Sequence, residues 1–122
     1  MSNEQTYTEN QIRQRLGRDL PHWRYEDGWI QRHFRTRDWK STLMVVNTVG
    51  HLSEAAFHHP DLSVSYASVD IKLMTHSARG VTDKDFTLAN KIEQVIQWQP
   101  GLEDGGSKGT SGEPVNAYIE YD

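Results

Sequence analysis

An Asp-Gly pair between two strand-like runs is the feature that most constrains the fold of this chain. In the stretch HWRYEDGWIQRHFR, Asp27 and Gly28 separate two runs rich in aromatic and β-branched residues. A type I′ turn needs positive φ at both central residues, and Asp-Gly adopts that conformation readily. The second run places Ile30 and Phe34 on one face of a strand. The sequence therefore predicts a β-hairpin, and with it an antiparallel sheet.

Two segments before residue 63 have the apolar spacing that is typical of amphipathic helices. The first covers residues 8–18. The second covers residues 39–57, is capped by Thr36 or Asp38, and ends because of Pro60, since proline cannot continue the helical hydrogen bonds. Its predicted buried stripe comprises Val45, Val49, Leu52 and Ala56, widened by Leu43 and Val46.

A third helix is predicted from a complete start signal. Thr82 can serve as the N-cap, and Asp85 at the third helical position forms a variant of the capping box. Val81 before the cap and Phe86 after it can pack together as a hydrophobic staple. The buried stripe that follows comprises Leu88, Ile92 and Val95. Capping alone therefore offers a structural explanation for Asp85.

Between the second and third helices, residues 63–75 (SVSYASVDIKLMT) are expected to be extended. The side that faces the core comprises Val69, Ile71 and Leu73. The alternation slips near Ala67 and Ser68, so we expect a bend or bulge that divides the segment into a strand pair. His76 then falls on the side away from the core. Strands and helices in this order favour an α+β fold with an antiparallel sheet and helices on one face.

The composition changes after residue 100. Residues 101–114 (GLEDGGSKGTSGEP) are rich in Gly and Ser and cannot form a core, whereas residues 117–121 have a short strand pattern. We therefore predict a domain at 1–99 and a C-terminal extension at 100–122. Its strand is expected to pair with a sheet edge.

Charge and residue content exclude several classes of function. Lys and Arg number 13 against 17 Asp and Glu, and the one basic run, 32–37, would spread over both strand faces, so nucleic-acid binding is not expected. The absence of cysteine excludes disulfides, zinc–thiolate sites and thiol nucleophiles. No segment approaches the about 20 apolar residues that span a bilayer. The polar start lacks the features of a signal peptide, so the expected location is the cytoplasm.

The histidines are the candidate reactive groups. In AAFHHPDLS, His58 and His59 lie where the long helix ends, and His76 lies at the end of the following strand. Glu54, four residues before His58, is expected to contact that imidazole and fix its tautomer, although the same spacing occurs in ordinary solvated helix pairs. An unperturbed imidazole gives or takes a proton near neutral pH, which favours acid/base chemistry.

Two other chemistries find little support in the sequence. Adjacent histidines at a kinked helix end point in different directions, and no H-x-x-x-H or H-E-x-x-H pair exists, so a metal site is not expected. Neither a G-x-S-x-G elbow nor a Gly-rich phosphate loop before a helix is present.

The order and spacing of these residues resemble the signature of the pterin-4a-carbinolamine dehydratases. The matching positions are Glu54, His58-His59-Pro60, Tyr66, His76 and Asp85, separated by three, five, nine and eight residues. A THS triplet after the long strand, the helix start VTDKDF and an IEQV run are similar to the family as well. The resemblance covers about residues 8–98.

The resemblance implies a four-stranded antiparallel sheet with three helices on one face. It also implies removal of water from 4a-hydroxytetrahydrobiopterin to give quinonoid dihydrobiopterin, which recycles the cofactor of aromatic amino acid hydroxylases. Family members require no metal or organic cofactor, and they form homodimers or homotetramers, partly through helix contacts. Relatives that keep the fold but assist rubisco assembly imply an alternative role on a client protein, although the complete signature favours the enzyme.

The same resemblance implies roles for individual residues. The implied catalytic residues are His58, His59 and His76. Of these, His58 and His76 would carry protons, while His59 would mainly bind and orient the pterin. The implied substrate-binding residues are Glu54, Phe57, Pro60, Thr75, Ser77 and Asp85. Tyr66 is assigned to sheet packing.

Overall fold

The computed structural model describes residues 4–98 and residue 119 and shows an α+β fold. In chain order the elements are α1 (Glu9–Asp19), β1 (Arg24–Glu26), β2 (Trp29–Arg35), α2 (Trp39–Ala56), β3 (Asp61–Ser65), β4 (Ser68–Leu73) and α3 (Asp83–Gln97), with a single 3₁₀ turn at His76–Ala78 before α3. The strands form one antiparallel sheet in the order β1-β2-β4-β3. The predicted four-stranded sheet with three helices is confirmed.

Two tight turns connect neighbouring strands. Asp27 and Gly28 have φ values of 54° and 90°, which confirms the predicted type I′ hairpin. The strands β3 and β4 are joined by a second two-residue turn at Tyr66 and Ala67. The bend or bulge predicted near Ala67 and Ser68 is therefore a turn. Neither turn residue has positive φ, so no glycine or asparagine is needed there to mark it in the sequence.

The core lies between one face of the sheet and the helices. The sheet contributes the fully buried Ile30, Phe34, Val69, Ile71 and Leu73. In α2, Val45 and Val49 are buried as predicted, whereas Leu43 and Ala56 are exposed. The core-facing side of α2 continues instead through small polar residues, namely Ser41, Thr42 and Ser53. Hydrophobicity alone therefore misplaced the edges of this stripe.

The other two helices complete the core. In α1 the buried residues are Ile12 and Leu16. In α3, Ile92 is buried as predicted, but the next buried residue of the stripe is Ile96 and not the predicted Val95. The buried row continues four residues after Ile92 rather than three, which leaves Val95 facing solvent.

Helix starts follow the predicted caps. Asp38, one of the two candidates for α2, accepts a hydrogen bond from the Ser41 N–H at 2.8 Å. Thr82 and Asp85 form the capping box of α3, in which the Thr82 N–H donates to Asp85 Oδ2 at 2.9 Å. Asp85 therefore has the structural role that its position in the sequence indicated.

Ile119 is the residue of the C-terminal extension that the structure describes. It is only 4% exposed, and it forms an isolated antiparallel bridge with Thr36 just after β2. The rest of the strand predicted at 117–121 lies outside the described residues. The division of the chain between residues 99 and 100 stays a prediction. Among the helices of the described part, none has both the length and the apolar character needed to cross a bilayer.

Asp83 attaches the segment before α1 to the start of α3. The Tyr7 hydroxyl donates to Asp83 Oδ1 at 2.6 Å, and Arg15 Nη1 donates to the same oxygen at 3.0 Å. The hydrogen bond from Tyr7, and after it that from Arg15, lowers the pKa of the Asp83 carboxyl. The same bond to Asp83 raises the pKa of Tyr7.

We expect Asp83→Asn to lower stability at neutral pH but not in acid. A carboxyl whose pKa is lower in the folded state contributes stability above its unfolded pKa of about 3.9, and loses it as pH falls through the folded value. The effect is modest because the Asp83 side chain is 73% exposed. Urea unfolding across a pH series should show the variant and wild type converging in acid. A difference that persists at the lowest pH would contradict this assignment.

Candidate functional site

The three histidines predicted to be catalytic lie on segments at one end of the sheet. The strands β3 and β4 are antiparallel with Asp61 opposite Lys72, so the chain just before β3 and just after β4 occupies the same end. Residues 57–60 precede β3, and residues 75–77 follow β4. Sheet register therefore brings the two segments that carry these histidines to the same end of the sheet, although they are far apart in sequence.

The left-handed end of α2 sets the direction of the adjacent histidines. Phe57 has φ of 50°, and its N–H donates to the carbonyls of Ser53 and Glu54. The His58 N–H donates to the Ser53 carbonyl at 3.0 Å, which gives a Schellman-type helix end. The helix thus ends before Pro60 is reached. The prediction that Pro60 ends it is wrong, because the left-handed residue already terminates the hydrogen-bond ladder.

A buried carboxylate holds His58. The imidazole Nε2 lies 2.6 Å from Asp85 Oδ1; the His58 side chain is 12% exposed and Asp85 is fully buried. The other oxygen, Asp85 Oδ2, accepts from the Thr75 hydroxyl at 2.8 Å and from the Thr82 N–H at 2.9 Å. The Thr75 and Thr82 hydroxyl oxygens are 2.7 Å apart. Asp85 therefore connects the ends of α2 and β4 to the start of α3.

Glu54 contacts the other histidine of the pair. Its Oε1 lies 2.8 Å from His59 Nε2 on the exposed side of α2. The predicted contact between Glu54 and His58 is wrong, because the i,i+4 geometry holds only inside a helix and His58 lies beyond the left-handed Phe57. The Phe57 ring packs edge to face against His59, with centroids 5.4 Å apart. These three residues form an exposed cluster beside the buried pair.

His76 begins the 3₁₀ turn after β4. Its exposed ring packs against Trp29 with centroids 5.5 Å apart and planes at 78°. The preceding residue, Thr75, is buried and bonded to Asp85. The following residue, Ser77, donates its hydroxyl to Glu4 Oε2 at 2.8 Å. The backbone therefore holds His76 one residue away from the hydrogen bonds that orient His58.

An open groove borders His58 on the helix side. Its volume is about 850 Å³. Its apolar residues are Leu52, Ala55, Ala56, Phe57 and Leu88, and its polar ones are His58, Asp83, Lys84, Thr87 and Lys91. His59 and His76 do not line this groove. A flat ring in contact with all three imidazoles would therefore lie across the end of the sheet, with only the His58 side reaching the groove.

The predicted site residues thus fall into distinct environments. One group shares buried hydrogen bonds and comprises His58, Thr75 and Asp85. The exposed group comprises Glu54, Phe57 and His59. Because Thr75 and Asp85 are buried, their influence on a bound molecule would pass through His58. The catalytic and substrate-binding roles of all the predicted site residues stay predictions. Across residues 4–98 and 119, no three histidine or acidic side chains are grouped to hold a metal ion.

Sequence reasoning missed one contact of Thr82 and the pairing of Trp29 with Lys72 in this region. The capping box marked Thr82, but not its hydroxyl contact with Thr75. Trp29 and Lys72 approach each other across β2 and β4, with the Lys72 ammonium 4.7 Å from the indole centroid. Nothing in their sequence spacing signals that contact, because it depends on strand register.

The chain is similar in sequence to proteins of the pterin dehydratase family. A sequence model of the family described as pterin 4 alpha carbinolamine dehydratase matches residues 5–95. A protein of Aquifex aeolicus, provisionally named a pterin-4-alpha-carbinolamine dehydratase, is 40% identical over 90 residues. That match covers 74% of this chain and 90% of the Aquifex protein.

Two solved structures have similar folds. The crystal structure of a transcriptional coactivator/pterin dehydratase from Brucella melitensis gives a TM-score of 0.69 at 29% identity, covering 75% of this chain and 98% of that one. A pterin dehydratase-like protein identified as a RuBisCO assembly factor in the alpha-carboxysome gives a TM-score of 0.50 at 15% identity, covering 60% and 84%. The second similarity concerns the fold alone.

Proposed function

Since this chain belongs to the pterin-4-alpha-carbinolamine dehydratase family, we propose that it dehydrates 4a-hydroxytetrahydrobiopterin to quinonoid dihydrobiopterin in tetrahydropterin recycling. The histidines at the end of the sheet act as acid and base in this proposal. The observation that carries it is the 2.6 Å contact between His58 and the fully buried Asp85. A buried carboxylate on one ring nitrogen orients an imidazole and fixes its tautomer, as a proton-transfer group requires.

The reaction needs two proton transfers. A general acid protonates the 4a-hydroxyl, so that the C4a–O bond breaks and water leaves. A base takes the proton from N5, and the electrons of that N–H bond form the C4a=N5 double bond. With Nε2 of His58 facing Asp85, its Nδ1 is the nitrogen that exchanges a proton with the pterin. His76 carries the other proton, and each transfer contributes about 10²- to 10⁴-fold.

The exposed cluster binds the substrate in this proposal. His59 is paired with Glu54 and stacked edge-on with Phe57, which suits it to orienting a flat bicyclic ring. Pro60 directs the adjacent His58 and His59 toward the site. The buried Thr75 and Asp85 act through His58. The site needs no metal or organic cofactor, because proton transfer alone accomplishes the dehydration.

We place the reaction in the cytoplasm and in a homodimer or homotetramer. In support of an oligomer, α2 exposes large apolar side chains that a second copy would cover, namely Trp39, Leu43 and Met44. The alternative of a non-catalytic assembly role on a client protein has only the fold similarity at 15% identity behind it. The complete set of acid/base residues favours the enzyme.

A dehydration assay tests the proposed function. Purified protein is mixed with freshly generated 4a-hydroxytetrahydropterin, and quinonoid product is followed by absorbance. We expect the wild-type rate to exceed both the rate in buffer alone and that of His76→Ala by about 10²-fold or more. A wild-type rate equal to that in buffer would reject the dehydratase. Capture of the rubisco large subunit from the native organism, together with a dehydration rate no higher than in buffer, would support the assembly role.

A further inference from the structure

Trp29 is an unusual residue for the open face of the sheet. That face of β2 and β4 is otherwise polar, with Gln31 opposite Lys72 and His33 opposite Asp70. Trp29 begins β2 on the same face and is only half-buried. An indole on a solvated sheet face exposes apolar surface to water unless neighbouring side chains cover part of it. The two contacts that the structure gives its ring are with His76 and Lys72.

Strand register fixes the contact between Trp29 and Lys72. Lys72 lies directly opposite Gln31, so it is the diagonal neighbour of Trp29, a distance that long and aromatic side chains can bridge. Its ammonium lies 4.7 Å from the indole centroid, within cation–π range. Trp29 also follows the left-handed turn at Gly28 directly, which restricts its backbone. The indole is therefore held by the sheet itself.

His76 differs from the other two histidines in what orients it. Within residues 4–98, His58 and His59 each have a carboxylate partner, at 2.6 and 2.8 Å. The side-chain contact that the structure gives His76 is with the Trp29 ring. A centroid separation of 5.5 Å and an interplanar angle of 78° are the geometry of a favourable edge-to-face pair. An exposed ring without this contact would sample other rotamers.

We propose that Trp29 is a positioning residue for His76, with Lys72 holding the indole in place. This inference rests on the proposed dehydratase function. Trp29 aligns the His76 ring for proton transfer, the task that Asp85 performs for His58. Because a misplacement of about 1 Å can lower a rate by about 10²-fold, loss of the indole should impair turnover more than binding.

The kinetic test compares Trp29→Leu with Trp29→Phe. We expect Trp29→Leu to lower kcat by about 10-fold with little change in KM, and Trp29→Phe, which keeps a ring, to restore most of kcat. In a His76→Ala background, Trp29→Leu should change the rate by less than about 2-fold, because the residue that it positions is gone. Trp98→Leu is the matched control, since that indole is 67% exposed at the end of α3.

Nuclear magnetic resonance tests the contact independently of activity. The imidazole C–H protons of His76 should shift when Trp29→Leu removes the ring current, and remain near their wild-type positions in Trp98→Leu. The proposal is overturned if Trp29→Leu keeps wild-type kcat, or lowers the rate equally with and without His76, or leaves the His76 signals in place. If wild-type protein is no faster than buffer, the dehydratase function fails, and the resonance shift alone decides whether Trp29 positions His76.

Discussion

Replacing His58 by alanine is expected to lower kcat for dehydration by about 10²- to 10⁴-fold, the usual contribution of a general acid or base. Its Nε2 is held by Asp85 at 2.6 Å, so the ring presents its other nitrogen in a fixed orientation. Removing the ring abolishes that transfer, whereas pterin binding by the exposed cluster around His59 remains. The loss should therefore appear in kcat more than in KM.

A matched control for His58→Ala is provided by another histidine–carboxylate pair. His33 Nδ1 lies 2.6 Å from Asp70 Oδ1 on the open face of the sheet, with both side chains 44% exposed. We expect His33→Ala to retain the wild-type rate within about 2-fold, since its removal affects only a surface pair. A His58→Gln variant retains a donor toward Asp85 and controls for folding. Equal rates for the His58 and His33 variants would contradict the proposed role.

Local signals predicted the parts of the fold that local chemistry controls. Asp27 and Gly28 fix one turn through their backbone preference, and Thr82 with Asp85 fixes a helix start through side-chain hydrogen bonds. Each of these devices lies within a few residues of sequence. The turn at 66–67 was predicted only as a bend or bulge, because it uses ordinary backbone conformations, which no particular residue type marks.

The candidate site was less predictable because its contacts depend on a helix end and on sheet register. Helical spacing assigned Glu54 to His58, but the left-handed Phe57 turns His58 inward, where it meets Asp85. His59 then faces the outer side of α2 and receives Glu54 instead. The contact of His76 with Trp29 joins the end of one strand to the start of another. No spacing rule within a single segment could find it.

Replacing Asp85 by alanine is expected to lower the free energy of unfolding by about 3 kcal/mol or more, because each buried donor left without an acceptor costs about 1–3 kcal/mol. The fully buried carboxylate accepts from the Thr75 hydroxyl and the Thr82 N–H, and it contacts His58 Nε2. The capping box of α3 is lost together with the attachment of the α2 end. Urea unfolding at neutral pH measures the change.

The control is Asp83→Ala, in the same helical turn but with a side chain that is 73% exposed. The free energy of unfolding should fall by less than about 1 kcal/mol in Asp83→Ala, as is usual for exposed ion pairs.

The Asp85→Asn variant separates loss of the hydrogen-bond acceptor from loss of the charge. The amide oxygen can still accept from the Thr82 N–H and the Thr75 hydroxyl. The amide NH₂ then faces His58 Nε2 and forces that nitrogen to accept a hydrogen bond. We therefore expect Asp85→Asn to be more stable than Asp85→Ala, yet to turn over far more slowly than wild type, because His58 is held in the wrong tautomer. Wild-type kcat in Asp85→Asn would show that His58 does not depend on this carboxylate.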